Sequence, residues 1–81
     1  MTNKIKNSKR LFNNGRVLRA EGNYVESIKA FTSAIDENVE FGKAYFERAA
    51  CYYKLGLYIK AKNDLQAAAI FGCKEAIFWS N

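Results

Sequence analysis

Eighty-one residues make one small domain, near the lower limit at which a single apolar core holds a fold unaided. Apolar residues at 49% and charged residues at 26% exclude a disordered tail. No stretch approaches the ~18 apolar residues of a membrane span, so no membrane partner is expected. The net charge of +5 is one-sided: Lys4, Lys6, Lys9, Arg10, Arg16 and Arg19 precede the first acid, Glu21, and the rest holds seven cations against eight acids. An electrostatic partner should therefore meet the first segment.

The N-terminus, MTNKIKNSKRLFNNG, is basic but lacks the apolar run of a secretory signal. With two cysteines and no disulfide framework, the expected location is cytoplasmic. Proline is absent, and Ala, Leu, Lys, Glu and Arg are frequent, which favours helix.

Taken in chain order, the first run places Leu11, Phe12, Gly15, Val17 and Leu18 on one face in steps of three and four. Glu21-Gly22-Asn23 ends it: Gly22 suits a left-handed terminus, and Asn23 suits the cap of the next helix. A second run carries Val25, Ile28, Phe31, Ala34 and Ile35. Asp36 to Glu40 is a polar connector with Asn38 as its turn residue. The third run, Phe41 to Leu55, presents Ala44, Tyr45, Ala49, Tyr52 and Tyr53, and Gly56 stops it. The fourth, Tyr58 to Phe71, carries Ala61, Leu65, Ala68, Ala69 and Ile70, and Gly72 closes it. A short piece, Lys74 to Trp79, follows. The reading is all-α: four helices of about 13 to 17 residues and a stub, with turns short enough to force neighbours antiparallel.

Asn13-Asn14-Gly15 would signal a β-hairpin between alternating runs, but its flanks repeat at helical period, so Gly15 lies inside a helix. In a hairpin turning at Gly22, Gly15 falls opposite Ser27; in one turning at Gly56, Ala49 falls opposite Ala61. Small residues face small residues where two helices cross closely.

Sliding the chain by 34 residues aligns its halves. Lys9 meets Lys43, Leu11 meets Tyr45, Phe12 meets Phe46 and Leu18 meets Tyr52. Gly22 meets Gly56, Tyr24 meets Tyr58, Val25 meets Ile59, Phe31 meets Leu65 and Ala34 meets Ala68. This period resembles that of the tetratricopeptide repeat, whose pattern runs Trp-x2-Leu-Gly-x2-Tyr, then Ala-x3-Phe, then Pro. The first copy holds Leu11, Asn14, Gly15, Leu18, Ser27, Phe31 and Val39 at these places, and the second holds Tyr45, Arg48, Ala49, Tyr52, Ala61, Leu65 and Cys73. Trp79 stands where a third copy would open. Both proline places and both leucine places depart from the pattern. The resemblance implies an α-solenoid fragment with right-handed superhelical stacking: one repeat over about 8–41, a second over about 42–75, and a capping helix over about 74–81.

Catalytic equipment is sparse. Histidine is absent, which removes the commonest general base and metal ligand, and no glycine-rich phosphate loop occurs. Cys51 and Cys73 fall at opposite ends of the second hairpin, about 16 Å apart at helical rise, beyond disulfide reach. No enzyme activity, cofactor or metal is expected.

The family resemblance implies that the first helix of each repeat lines a concave groove that takes a peptide segment. The residues facing it are Lys9, Phe12, Asn13, Arg16 and Arg19, then Lys43, Phe46, Glu47, Ala50, Tyr53 and Lys54, a surface of aromatics and cations. The expected partner is a protein or peptide, acidic with apolar anchors. Glu47 argues against a clamp for a terminal carboxylate. Phe12 and Phe46 have an alternative role packing between repeats. Self-association through Phe71, Ile77, Phe78 and Trp79 at the apolar C-terminal end is an alternative. Nucleic-acid binding through the early cations ranks below it, because Lys4, Lys6 and Arg10 spread around their helix.

Overall fold

The computed structural model describes residues 2–79, and among them every regular element is a helix: α1 Thr2–Ala20, α2 Tyr24–Glu37, α3 Gly42–Lys54, α4 Tyr58–Ile70 and α5 Lys74–Trp79. Helix α1 starts well ahead of residue 8, because residues 2 to 14 contain no glycine or proline to stop it. It runs unbroken through Asn13-Asn14-Gly15.

Each hairpin turns on a left-handed glycine. Gly22 and Gly56 have φ of 82° and 78°. Around the first, the Asn23 N–H reaches back to Leu18 O at 2.9 Å and the Gly22 N–H to Arg19 O at 2.9 Å. Around the second, Leu57 bonds Tyr52 and Gly56 bonds Tyr53 in the same pattern, at 2.8 and 3.0 Å. These are Schellman closures, which satisfy the last helical carbonyls at once. Asn23 is the N-cap residue of α2, but its side chain makes no capping bond; its amide turns instead toward Glu21 Oε1 at 3.4 Å. The expected side-chain cap is therefore absent, and the glycine turn alone sets the entry to α2. Asn38 ends α2 in extended conformation, and its Oδ1 accepts from the Glu40 N–H.

Helices α1 and α2 form hairpin one, and α3 and α4 form hairpin two. Helix α3 packs on α2, α5 packs on α4, and α1 touches α3 at few points. Neighbour-on-neighbour stacking of this kind makes the chain an α-solenoid fragment. Phe12, Phe31, Ala34, Ile35, Ala44 and Cys51 form the main core between the hairpins, and Ala68, Cys73 and Ala76 form a second cluster where α5 docks. Tyr45, at the family's tryptophan place, ties in the connector: its hydroxyl donates to Val39 O at 2.9 Å.

The close crossing at Gly15 is present and tighter than spacing alone suggests. A Cβ there would lie 2.6 to 2.9 Å from three carbons of the Phe31 ring. Ser27 Oγ donates to Gly15 O at 2.6 Å, and the Cys51 thiol donates to Ser27 Oγ at 3.4 Å, so a buried polar relay links α3, α2 and α1.

Candidate functional site

The residues singled out on the first helices divide into distinct places. Arg19, Phe46, Tyr53 and Lys54, with Ala49, Ala50, Ala61 and Leu65, line a hollow of about 360 Å³ beside hairpin two. Its walls are apolar and its rim is cationic. Alanines at 49, 50 and 61 open it, because no side chain longer than a methyl fills the crease between α3 and α4 there. Tyr53 stands at the mouth, 65% exposed, its ring edge-on to Tyr58 at 5.0 Å. Phe46 is half-buried and also packs against the Ala68–Cys73–Ala76 cluster.

Lys9, Asn13 and Arg16 lie exposed along α1. The Arg16 guanidinium sits 5.9 Å from the centre of the Phe12 ring, within cation–π range. Lys43 is exposed but faces a separate recess, between the α2–α3 connector and the turn at Gly72, alongside Glu40, Lys74 and Glu75. It does not join Phe46 and Tyr53.

Three of the expected contacts, Phe12, Arg19 and Glu47, are occupied by the protein itself. Phe12 is buried, at 9% exposure, with its ring 5.6 Å from Phe31 and 4.8 Å from Phe41. It belongs to the packing between hairpins, the alternative role, because its ring is held by Phe31 of α2 and by Phe41 in the connector before α3. Glu47 pairs with Arg19 across the gap between α1 and α3. That pair neutralises the acid expected to repel carboxylates, and among the described residues Lys9, Arg16 and Lys54 form no ion pair.

Sequence reasoning missed a second ion pair that crosses between helices. Arg48, at the family's leucine place, donates from Nε and Nη2 to both oxygens of Asp64 at 2.7 and 2.8 Å, and from Nη1 to Thr32 Oγ1 at 3.1 Å. The tyrosine rings of Tyr45 and Tyr52 flank it at 5.6 and 5.8 Å. Both partners are largely buried. The Asp64 hydrogen bond raises the Arg48 pKa above its usual value. A signal did exist: both members of this pair are polar, whereas the matched places in hairpin one, Asn14 and Ala30, hold no charge.

At the C-terminal end, Phe71 stacks on Tyr45 at 5.6 Å, and Phe78 is 81% exposed. The Trp79 side chain lies outside the described residues. Cys51 and Cys73 are both free thiols, buried in separate clusters. Burial pushes both thiols up from their ordinary pKa. No described helix is long and apolar enough to cross a membrane.

No family model matches the chain. Over 57 residues, 70% of its length, it is 37% identical to neutrophil cytosol factor 2 of Bos taurus. Over 52 residues, 64% of its length, it is 40% identical to Hsp70-Hsp90 organizing protein 1 of Glycine max. The matches span 11% and 9% of those relatives, so the chain corresponds to about a tenth of each. Both are tetratricopeptide-repeat proteins. Together with two stacked helical hairpins whose turn glycines stand 34 positions apart, these matches make the chain similar to the tetratricopeptide repeats in both sequence and fold.

Proposed function

We propose that the chain is a non-catalytic protein-interaction module, an adaptor or scaffold that binds a peptide segment along the face formed by α1 and α3. The observation that carries this reading is the hollow beside hairpin two, with apolar walls and the exposed ring of Tyr53 at its mouth. Lys54 on its rim, and Arg16 and Lys9 along α1, supply cations for an acidic ligand. A groove with a few convergent polar groups around an apolar floor is a ligand site by shape and chemistry. The partner this suits is an extended acidic segment with an apolar anchor seated between Phe46 and Tyr53. One relative is named for organising two other proteins, Hsp70 and Hsp90, which accords with a binding role.

The same proposal divides the chain into repeats over about 8–41 and 42–75 with a cap over about 74–81, and places it in the cytoplasm, where free thiols stay reduced. Selection of random peptides displayed against the protein tests the binding reading. Enriched peptides should be acidic with an aromatic or leucine anchor. Their affinity should fall at least tenfold in an Arg16→Glu/Tyr53→Ala variant of unchanged helicity. Enrichment of nothing, or equal affinity for the variant, would sink it.

A further inference from the structure

The two hairpin turns close on the same backbone pattern but carry opposite chemistry. At matched places 34 positions apart, Glu21, Asn23 and Glu26 of the first give way to Leu55, Leu57 and Lys60 of the second. Lys54 and Lys62 flank the second turn where the first has Ala20 and Ile28, and from Arg48 to Asn63 the chain holds no acid. Among the described residues Lys54, Lys60 and Lys62 are exposed and form no ion pair.

Leu55, Leu57 and Ile59 are exposed at this turn. Their exposure does not depend on what stacks next: the matched Glu21, Asn23 and Val25 stay exposed although hairpin two packs on hairpin one. These three side chains line neither recess described above, so they form an apolar tip rather than a cleft.

We propose that the turn from Leu55 to Ile59 docks on the surface of an anionic lipid bilayer, a function separate from the peptide-binding face. Charge and shape favour this occupant. Lysines keep their ammonium groups among lipid phosphates and carboxylates while neighbouring apolar side chains enter the acyl boundary. A bilayer accepts a protruding apolar tip, whereas a folded protein must offer a fitted pocket. Tyr58, also exposed, adds a ring with a polar end, of the kind that settles at headgroup level. Glu21 and Glu26 exclude the first turn from the same surface. A second copy docked tip to tip would set the same three lysines against one another, with no acid nearby in the sequence to offset them. Helix α1 has more cations, but its exposed apolar residues, Ile5 and Val17, lie about 18 Å apart along the axis, too dispersed for one point of insertion. Surface contact requires no spanning helix, and no described helix could span.

The test is co-sedimentation of the whole chain with vesicles of phosphatidylcholine, with and without a third of phosphatidylserine. Binding is expected only with phosphatidylserine and should weaken as salt rises. Lys60→Gln/Lys62→Gln should weaken it about 25-fold, from about fivefold for each lysine. Leu57→Asp, at the N-cap of α4 where aspartate suits the fold, should weaken it at least about tenfold. Lys4→Gln/Lys6→Gln should change it by less than about twofold. A nitroxide in the acyl chains should broaden the amide signals of Leu55, Leu57 and Ile59 first. No sedimentation, equal sedimentation with pure phosphatidylcholine, or full binding by the Leu57→Asp variant would overturn the proposal. So would broadening centred on α1, or dimers of the lipid-free chain that Leu57→Asp abolishes, which would make a second copy the occupant. A display-selected acidic peptide should bind the Lys60→Gln/Lys62→Gln variant as it binds the unaltered chain, so the two proposals fail separately.

Discussion

Arg48 stands where a leucine would ordinarily pack, and its bidentate bond to Asp64 replaces apolar contact with charge. Removing one partner strands the other in a largely buried place, so Asp64→Ala should cost about 3–5 kcal/mol. Thermal unfolding should show this as a fall of roughly 10 °C or more in Tm. Arg48→Leu combined with Asp64→Ala should recover most of the loss, since apolar replacement of a buried pair is commonly neutral or better. If the double variant is as unstable as the single, the pair is worth more than its desolvation. Gly15 offers a test by sign. Helix propensity alone predicts that Gly15→Ala stabilises by about 1 kcal/mol; the Phe31 ring, within 2.9 Å of the new methyl, predicts a net loss. Denaturant midpoints decide between them. The two thiols set a pH limit. Burial raises both above their ordinary value, so the folded chain holds their protons longer than the unfolded chain. Their contribution is complete below the unfolded thiol pKa of about 8.5 and is lost as pH rises through the folded values. Stability should therefore decline above about pH 9, and a Cys51→Ala/Cys73→Ala variant should decline less.

Among the elements, the helix ends at glycine were legible because a left-handed terminus needs that residue, and the two hairpin turns close identically. Gly56→Ala forces a side chain into that conformation and should cost about 1 kcal/mol, read as a lower denaturant midpoint with unchanged helicity at low denaturant. The start of α1 was not legible, since nothing in a Lys- and Asn-rich run marks where a helix begins. Asn23 shows the reverse case, a good capping residue whose side chain is drawn to Glu21 instead. The spacing of Phe12 and Phe46 placed both on the outward side of the first helices. It did not reveal that Phe31 and Phe41 enclose Phe12 while Phe46 stays half-buried, because that depends on which neighbour each helix has. The Arg48–Asp64 pair escaped because its signal lies only in the difference between the copies, where the matched Asn14 and Ala30 hold no charge.

At the scale of the molecule, hairpin stacking converts an internal repeat into a surface with two unlike ends. Hairpin one presents cations at Lys9, Arg10 and Arg16, and hairpin two presents the apolar hollow and turn. A ligand that uses both should show a moderate dependence on salt, because a few exposed cations are screened over about 10 Å at 0.1 M while apolar contacts are not. The most direct measurement is an amide-shift map of a display-selected acidic peptide on the labelled chain. The largest shifts should fall together on Arg16, Phe46, Ala50, Tyr53 and Lys54. Shifts concentrated on the outer faces of α2 and α4, with those five residues unmoved, would contradict the binding face.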